Sequence, residues 1–319
     1  MRLHLLVSLL SAVLTVVGAG VACGQNYPVK PVRIVTSEPG GGADTAARII
    51  GRGISVPLGQ TVIVDNRPPI IIPGETVARA PPDGYTLLLF GGTHWLQPFL
   101  RENVPYDPVK DFAPVTLVST SPLIVVVHPS LPVHTVRDLI ALAKAKPGQI
   151  NYASGGMGSS NHLAAELFKA MAGVNIVQIN YRGTGSGVSA VIAGEVQLMI
   201  ANAPSVTSQI KSGRLRALAV ASAQPSVLAP GLPTVTASGL PGFESVSTLG
   251  VFAPAKTPGA IINRLNQELV KFLQSPEARE RFLSIGSESV GSSPEQLEIT
   301  MRAEMSRMGK VIRDASIRE

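Results

Sequence analysis

Between residues 31 and 221, short β-branched and aliphatic runs alternate with Gly-rich turns and with stretches whose apolar residues recur at helical spacing. This alternation limits the fold more than any other feature of the sequence. Residues 32–36, 62–64, 85–90, 123–127, 151–153, 176–179, 198–201 and 217–221 read as strands. Residues 44–54, 75–80, 135–146, 162–172, 187–193 and 205–212 read as the helices between them. A longer helix opens at Pro258, with Ile261, Ile262, Leu265, Leu269 and Phe272 on one face, and another follows Ser293, a helix-capping residue before Pro294. Strand–helix alternation of this kind predicts α/β layers with largely parallel sheets, and 319 residues suit two domains.

The first residues bear on the compartment. Arg2 precedes an apolar run over 5–17, and small residues follow at Gly18, Ala19, Gly20, Ala22 and Gly24. This is the layout of a secretory signal, too short for a comfortable membrane span, so the mature chain is expected in the periplasm. Cleavage after Gly24 leaves a mature chain without cysteine. Acylation of Cys23 is the alternative, disfavoured because Gly20 stands where such signals carry Leu or Val. The formal charge of +6 suits anionic partners, but the basic residues are scattered, which argues against nucleic acid. Aromatic residues at 4% leave little for a stacking platform.

The templates for catalysis fail in turn. GTGSG at 183–187 lacks the spacing of a nucleophile elbow, no glycine-rich dinucleotide or phosphate loop of the standard spacings occurs, and the five histidines form no metal-binding pair. No catalytic residue, metal site or cofactor is expected. What recurs is a Gly-rich loop feeding a helix N-terminus, at PGGGAD (39–44), SGGMGSSNH (154–162) and YRGTGSGVSA (181–190). Unpaired N–H groups and a partial positive charge at such termini attract anions, while glycine admits close approach and serine or threonine adds donors. Three such loops predict an anion-binding cleft. Taken singly, Asp44 reads as a residue of a helix first turn, Asp83 as part of a turn in PPDGY, and His94 and His162 as packing or capping residues.

The ordered segments YPVKPVRIV, PGGGAD, VDNRP, PPDGYTLL, PYDPVKDFAPVTLV, GSSNHLAAELF, NYRGTGS, GRLRALAV, LPTV and GVFAPAKTP carry a resemblance. Together they are similar to the extracytoplasmic substrate-binding proteins of tripartite tricarboxylate transporters, the Bug (TctC) family, over essentially the whole mature chain. The resemblance implies an α/β, two-domain periplasmic binding protein of the Venus-flytrap type, each lobe a largely parallel sheet flanked by helices, with two crossover strands near 123–128 and 248–252. Residues 1–24 would be the signal peptide, 25–124 with 251–319 a discontinuous domain 1, and 125–250 domain 2. It implies a small carboxylate held between the lobes, largely by backbone amides and hydroxyls, and delivery to membrane permease subunits; a monomer is the default expectation. A sensory receptor of the same fold would share these features, and a secreted hydrolase is the lesser alternative.

Carried over residue by residue, the resemblance places Ser154, Gly158, Ser159 and Ser160 with Gly183, Thr184 and Gly185 in the domain 2 cradle. It places Ser37, Glu38, Gly41, Asp44, Gly92, Thr93 and His94 on the domain 1 side, with Asn202 and Thr248 beside the cleft. Departures from the family pattern also matter. Glu38 stands where a proline or small residue is common; it would repel a second carboxylate, accept from an amide or amine, or remain a solvated loop residue. Pro69, Ile70, Ile71, Ile72 and Pro73 replace a Gly-rich stretch, giving either a drier pocket edge or packing beneath a lid. Gln197 and Ala201 stand where an acidic residue is frequent, and an aromatic wall is missing around Ser247, Thr248 and Leu249. These differences predict a ligand with one carboxylate and an apolar body.

Overall fold

The computed structural model describes residues 27–37 and 39–318; the expected signal segment with Cys23, and Glu38, lie outside the described residues. The chain forms one continuous mixed sheet with two parallel wings, ordered β2-β1-β3-β9-β4-β7-β5-β6. In the first wing β1 (Val32–Thr36) lies parallel to β2 (Val62–Asn66) and β3 (Thr86–Gly91). In the second, β5 (Asn151–Ser154) lies parallel to β6 (Val177–Asn180) and β7 (Leu198–Asn202). Antiparallel pairing enters where the wings are joined by β4 (Phe112–Val127) and β9 (Val246–Pro254).

Strand β4 takes part in both wings. Its residues 112–122 pair with β9, whereas residues 123–127 pair with β7 and with β8 (Arg216–Val220). Register shifts follow Pro114 and Leu117, consistent with proline removing a ladder donor and the strand bending there. The first wing packs α1 (Gly42–Leu58) and a later helix, α9 (Gly259–Leu273), through Ile50, Ile54, Leu265, Leu269 and Phe272. In the second wing α7 (Thr184–Ala193) and α8 (Ala203–Lys211) pack Val188, Val191 and Val206 into a cluster with Met199 of β7.

Remaining helices are α2 (Ile72–Ala78), the short α3 (Gly92–Trp95) and α4 (Gln97–Leu100), α5 (Val136–Ala145), α6 (Ser160–Ala172), α10 (Pro276–Ser284) and α11 (Pro294–Asp314). Ser293 caps α11, accepting from the Gln296 N–H at 3.2 Å as its position before Pro294 predicts, and Thr135 with Asp138 forms a capping box on α5. Helix α11 packs on β4, α3, α4 and α6, so it lies over the junction of the two wings. Its Leu297, Met301 and Met308 enter the same core as Trp95, Leu163 and Phe252. Strand β9 contains the crossover strand expected at 248–252, and helices α3, α4 and α10 are additions to the elements read from sequence.

Candidate functional site

A cavity of about 210 Å³ opens at the junction and receives residues from both wings. Ser37 after β1, Ile70 before α2, and Gly91, Gly92 and Thr93 at the end of β3 form one side. Ser160 and Leu163 of α6 form the other. The segment entering β9 contributes Glu244 through Leu249, and α11 closes the floor with Glu304, Arg307 and Met308.

Two glycines make the close approaches possible. A Cβ on Gly91 would lie 2.1 Å from the Thr248 carbonyl oxygen, and one on Gly92 would lie 2.6 Å from Oε1 of Glu304. Trp95, fixed in the apolar core one turn further on, donates from Nε1 to Oε2 of Glu304 at 3.1 Å. Thr248 Oγ1 donates to the same oxygen at 3.3 Å. Burial pushes the Glu304 carboxyl up to about 7; Arg307 and the two donors pull it back down in part, and nearby Glu244 adds to the rise. Arg307 is paired through Nη1 with Glu244 at 3.2 Å, while its Nε is buried without a hydrogen-bond partner among the described residues.

Of the residues expected from sequence, Ser37, Gly92, Thr93, Ser160 and Thr248 line this cavity. Asn202 reaches its edge, its Nδ2 lying 3.3 Å from the Ser247 hydroxyl. Glu38 lies outside the described residues. The others have local duties instead. His94 turns away into the core, where its buried ring stacks on Tyr106 and meets Phe90 and Phe112. Asp44 folds back to accept from the Gly40 N–H at 2.8 Å and from Asn66 Nδ2 at 3.0 Å, and it pairs with Arg48 at 2.9 Å. Burial opposes its charge, but these partners hold it below the usual carboxylate range. The carboxylate at the start of α1 is thus the chain's own, and Gly41 serves as the exposed N-cap.

The loop before α6 shows the same self-satisfaction. Ser154 is fully buried and accepts from Gln178 Nε2 at 2.8 Å. Ser159 caps α6 and donates to the Gly156 carbonyl at 2.8 Å, while the Gly158 N–H donates to His162 Nδ1 at 3.1 Å. Thr184 Oγ1 donates to Asn161 Oδ1 at 3.0 Å, so the loops over 154–161 and 183–185 do come together. Gly183 and Gly185 are exposed beside them, and neither lines the cavity. Both readings of the isoleucine run apply in part: Ile70 faces the cavity, Ile71 packs against the core and Ile72 starts α2. Among the described residues no cluster of His, Cys, Asp or Glu could hold a metal, and no helix is long and apolar enough to cross a membrane.

Sequence reading missed Phe90, Leu96, Glu244, Glu304, Arg307 and Met308. Glu304 and Arg307 carry no local signal, since charges three apart on an amphipathic helix normally mark a solvated face.

Comparison with known proteins places this arrangement. The protein BugT of Bordetella pertussis is 35% identical over 304 residues, covering 93% of each chain. An R. palustris protein solved with adipate is 35% identical with a TM-score of 0.76, covering 91% of this chain and 99% of that one. MatC from Rhodopseudomonas palustris, solved with bound malate, is 28% identical with a TM-score of 0.72, covering 90% of this chain and 100% of that one. The family model described as the tripartite tricarboxylate transporter family receptor matches residues 46–317. With the two-wing α/β architecture and a cavity at the junction, this chain belongs to the TctC family of tripartite tricarboxylate transporter receptors.

Proposed function

We propose that this protein is a periplasmic solute receptor that captures a small carboxylic acid in the junction cavity and hands it to the permease subunits of a tripartite transporter. One observation carries the reading: the cavity draws Ser37, Thr93 and Thr248 from one wing and Ser160 from the other, beside Arg307, the one cation among its described lining residues. Hydroxyls, backbone amides and one guanidinium are the donors that a carboxylate needs. Ile70, Phe90, Leu96, Leu163 and Met308 supply an apolar wall, which suits a ligand with a methylene body between or beyond its carboxylates. Adipate and malate in related structures fit the same chemistry. Because a ligand touching both wings favours whichever arrangement satisfies both sets of contacts, binding would close the wings about β4 and β9, the lobe division expected from sequence.

The test is a thermal-shift screen of residues 25–319 against mono-, di- and tricarboxylates, aromatic acids and amino acids. An acid at one hundred times its dissociation constant adds roughly 2.7 kcal/mol, a visible rise in melting temperature. Shifts confined to small acids support the receptor reading. A screen in which no acid raises the melting temperature overturns it.

A further inference from the structure

The two oxygens of Glu304 differ. Oε2 accepts from both Trp95 and Thr248 and has no capacity left for a ligand donor of ordinary geometry. Oε1 accepts no hydrogen bond from the described residues and sits against Gly92, where the missing side chain leaves it room on the cavity wall. A ligand carboxylate entering this cavity brings a second negative charge beside a carboxyl group that is already screened from bulk water. Two carboxylates at such range cannot both stay ionised without a cation between them. Arg307, one helical turn away, is the only cation on the cavity wall among the described residues, and Glu244 already engages it.

We infer that Oε1 of Glu304 carries a proton in the liganded protein and donates it in a hydrogen bond to one oxygen of the bound carboxylate, so that Glu304 selects for acids and couples their capture to proton uptake. This rests on the carboxylate reading of the cavity. Burial prepares the residue for the role, since its carboxyl is pushed up to about 7 before any ligand arrives. The charged groups around it are few. Arg307 and Glu244 face it, and β4 and β9 carry no charged residue. On α6, Glu166 and Lys169 pair with each other at 2.8 Å and His162 turns to the Gly158 N–H; His94 of α3 points into the aromatic core. Glu304 is therefore the group whose titration the ligand senses.

The liganded state holds the proton more tightly than the free state, so affinity is full below the free-state value near 7 and falls as pH rises above it. The loss is up to tenfold per pH unit until the liganded value is reached, or roughly 30-fold at about pH 8.5.

The experiment is calorimetric titration of adipate and of malate into the wild-type protein and Glu304→Gln at about pH 6 and about pH 8.5, where both acids are ionised. Gln presents a permanent N–H donor in place of the protonated oxygen and keeps an acceptor for Trp95 and Thr248. Support is a tenfold or greater weakening of the wild type at the higher pH, with the variant within about twofold at both. Uptake of about one proton per ligand by the wild type above neutral pH, read from buffers of different ionisation enthalpy, supports it without any variant. Parallel pH profiles for the two proteins, with no proton uptake, overturn the inference and leave the carboxylate reading intact. Loss of binding in a folded Glu304→Gln at both pH values overturns it as well, since Glu304 would then be an acceptor for a ligand donor. Failure of every acid in the wider screen to bind either protein overturns the carboxylate reading and the inference together.

Discussion

His94 and Ser160 show how far one residue's duty depends on its surroundings. The His94 ring is buried with neither nitrogen partnered among the described residues, and burial holds it neutral, its value lowered to about 3. The unfolded chain takes up a proton near the ordinary histidine value of about 6.5, so acidification through that range favours unfolding. This residue should cost about 2 kcal/mol of stability at about pH 5 relative to neutral pH. His94→Leu removes that component while changing stability near pH 8 little, because no hydrogen bond is lost. Denaturant melts of both proteins at the two pH values check this; equal pH sensitivity in the two would refute it. At the cavity, Ser160→Asp places a negative charge on the wall and should abolish acid binding in a folded protein. Its neighbour Ser159 caps α6, so Ser159→Ala should cost about 1 kcal/mol of stability and leave affinity nearly unchanged. Serine in a Gly-rich loop was legible as a donor, but which of two adjacent serines lines the cavity was not. That choice is set by where α6 begins.

Among the elements, α1 and α9 show which sequence signals survive folding. The apolar spacing of both helices predicts a buried face, and the structure buries it. Gly53 in mid-helix looks like a weakness, since alanine there would ordinarily gain up to about 1 kcal/mol. The ring of Phe272 lies where a Cβ would fall, 2.3 Å from Cε2. Overpacking costs about 1–3 kcal/mol, so Gly53→Ala should destabilise on balance, and adding Phe272→Leu should recover part of the loss. Chemical melts of the single and double variants measure both effects, and a stabilised Gly53→Ala protein would contradict this packing. Helix α11 differs in kind. Its start at Ser293 is written in the sequence, but its contribution of Glu304 and Arg307 to the cavity comes from lying across the wing junction. Nothing within 294–314 distinguishes those two from the exposed ion pairs Arg302–Glu298 and Lys310–Asp314 on the same helix.

For the whole molecule, β4 and β9 are the decisive strands, because they alone bind the parallel wings into one sheet. Helix α11 also ties the wings, packing on α3 and α4 of one and on α6 of the other. Ser226 donates to Glu288 Oε1, and Pro204 of α8 packs closely on Gly286. A cavity at such a junction is expected to change shape with its occupant. Small-angle scattering should show a smaller radius of gyration with a saturating acid than without one, and an unchanged curve would count against closure.

The strand–helix alternation pointed to α/β layers and the Gly-rich turns to an anion-binding cleft, because backbone propensity and hydrophobic period act over a few residues, whereas the two-lobe arrangement with a site between the lobes came from the resemblance to the family. Ser37, Gly92, Thr93, Ser160 and Thr248, which line the cavity, were placed at the cleft by that resemblance. Tertiary structure decided the rest. It turned His94 inward, gave Asp44 and Ser159 to their own helix ends, and brought Glu244, Glu304 and Arg307 together from segments far apart in the chain. A side chain's local surroundings set whether it caps or packs, but a cavity depends on which distant surfaces meet, and that is settled only when the long strands join the two wings.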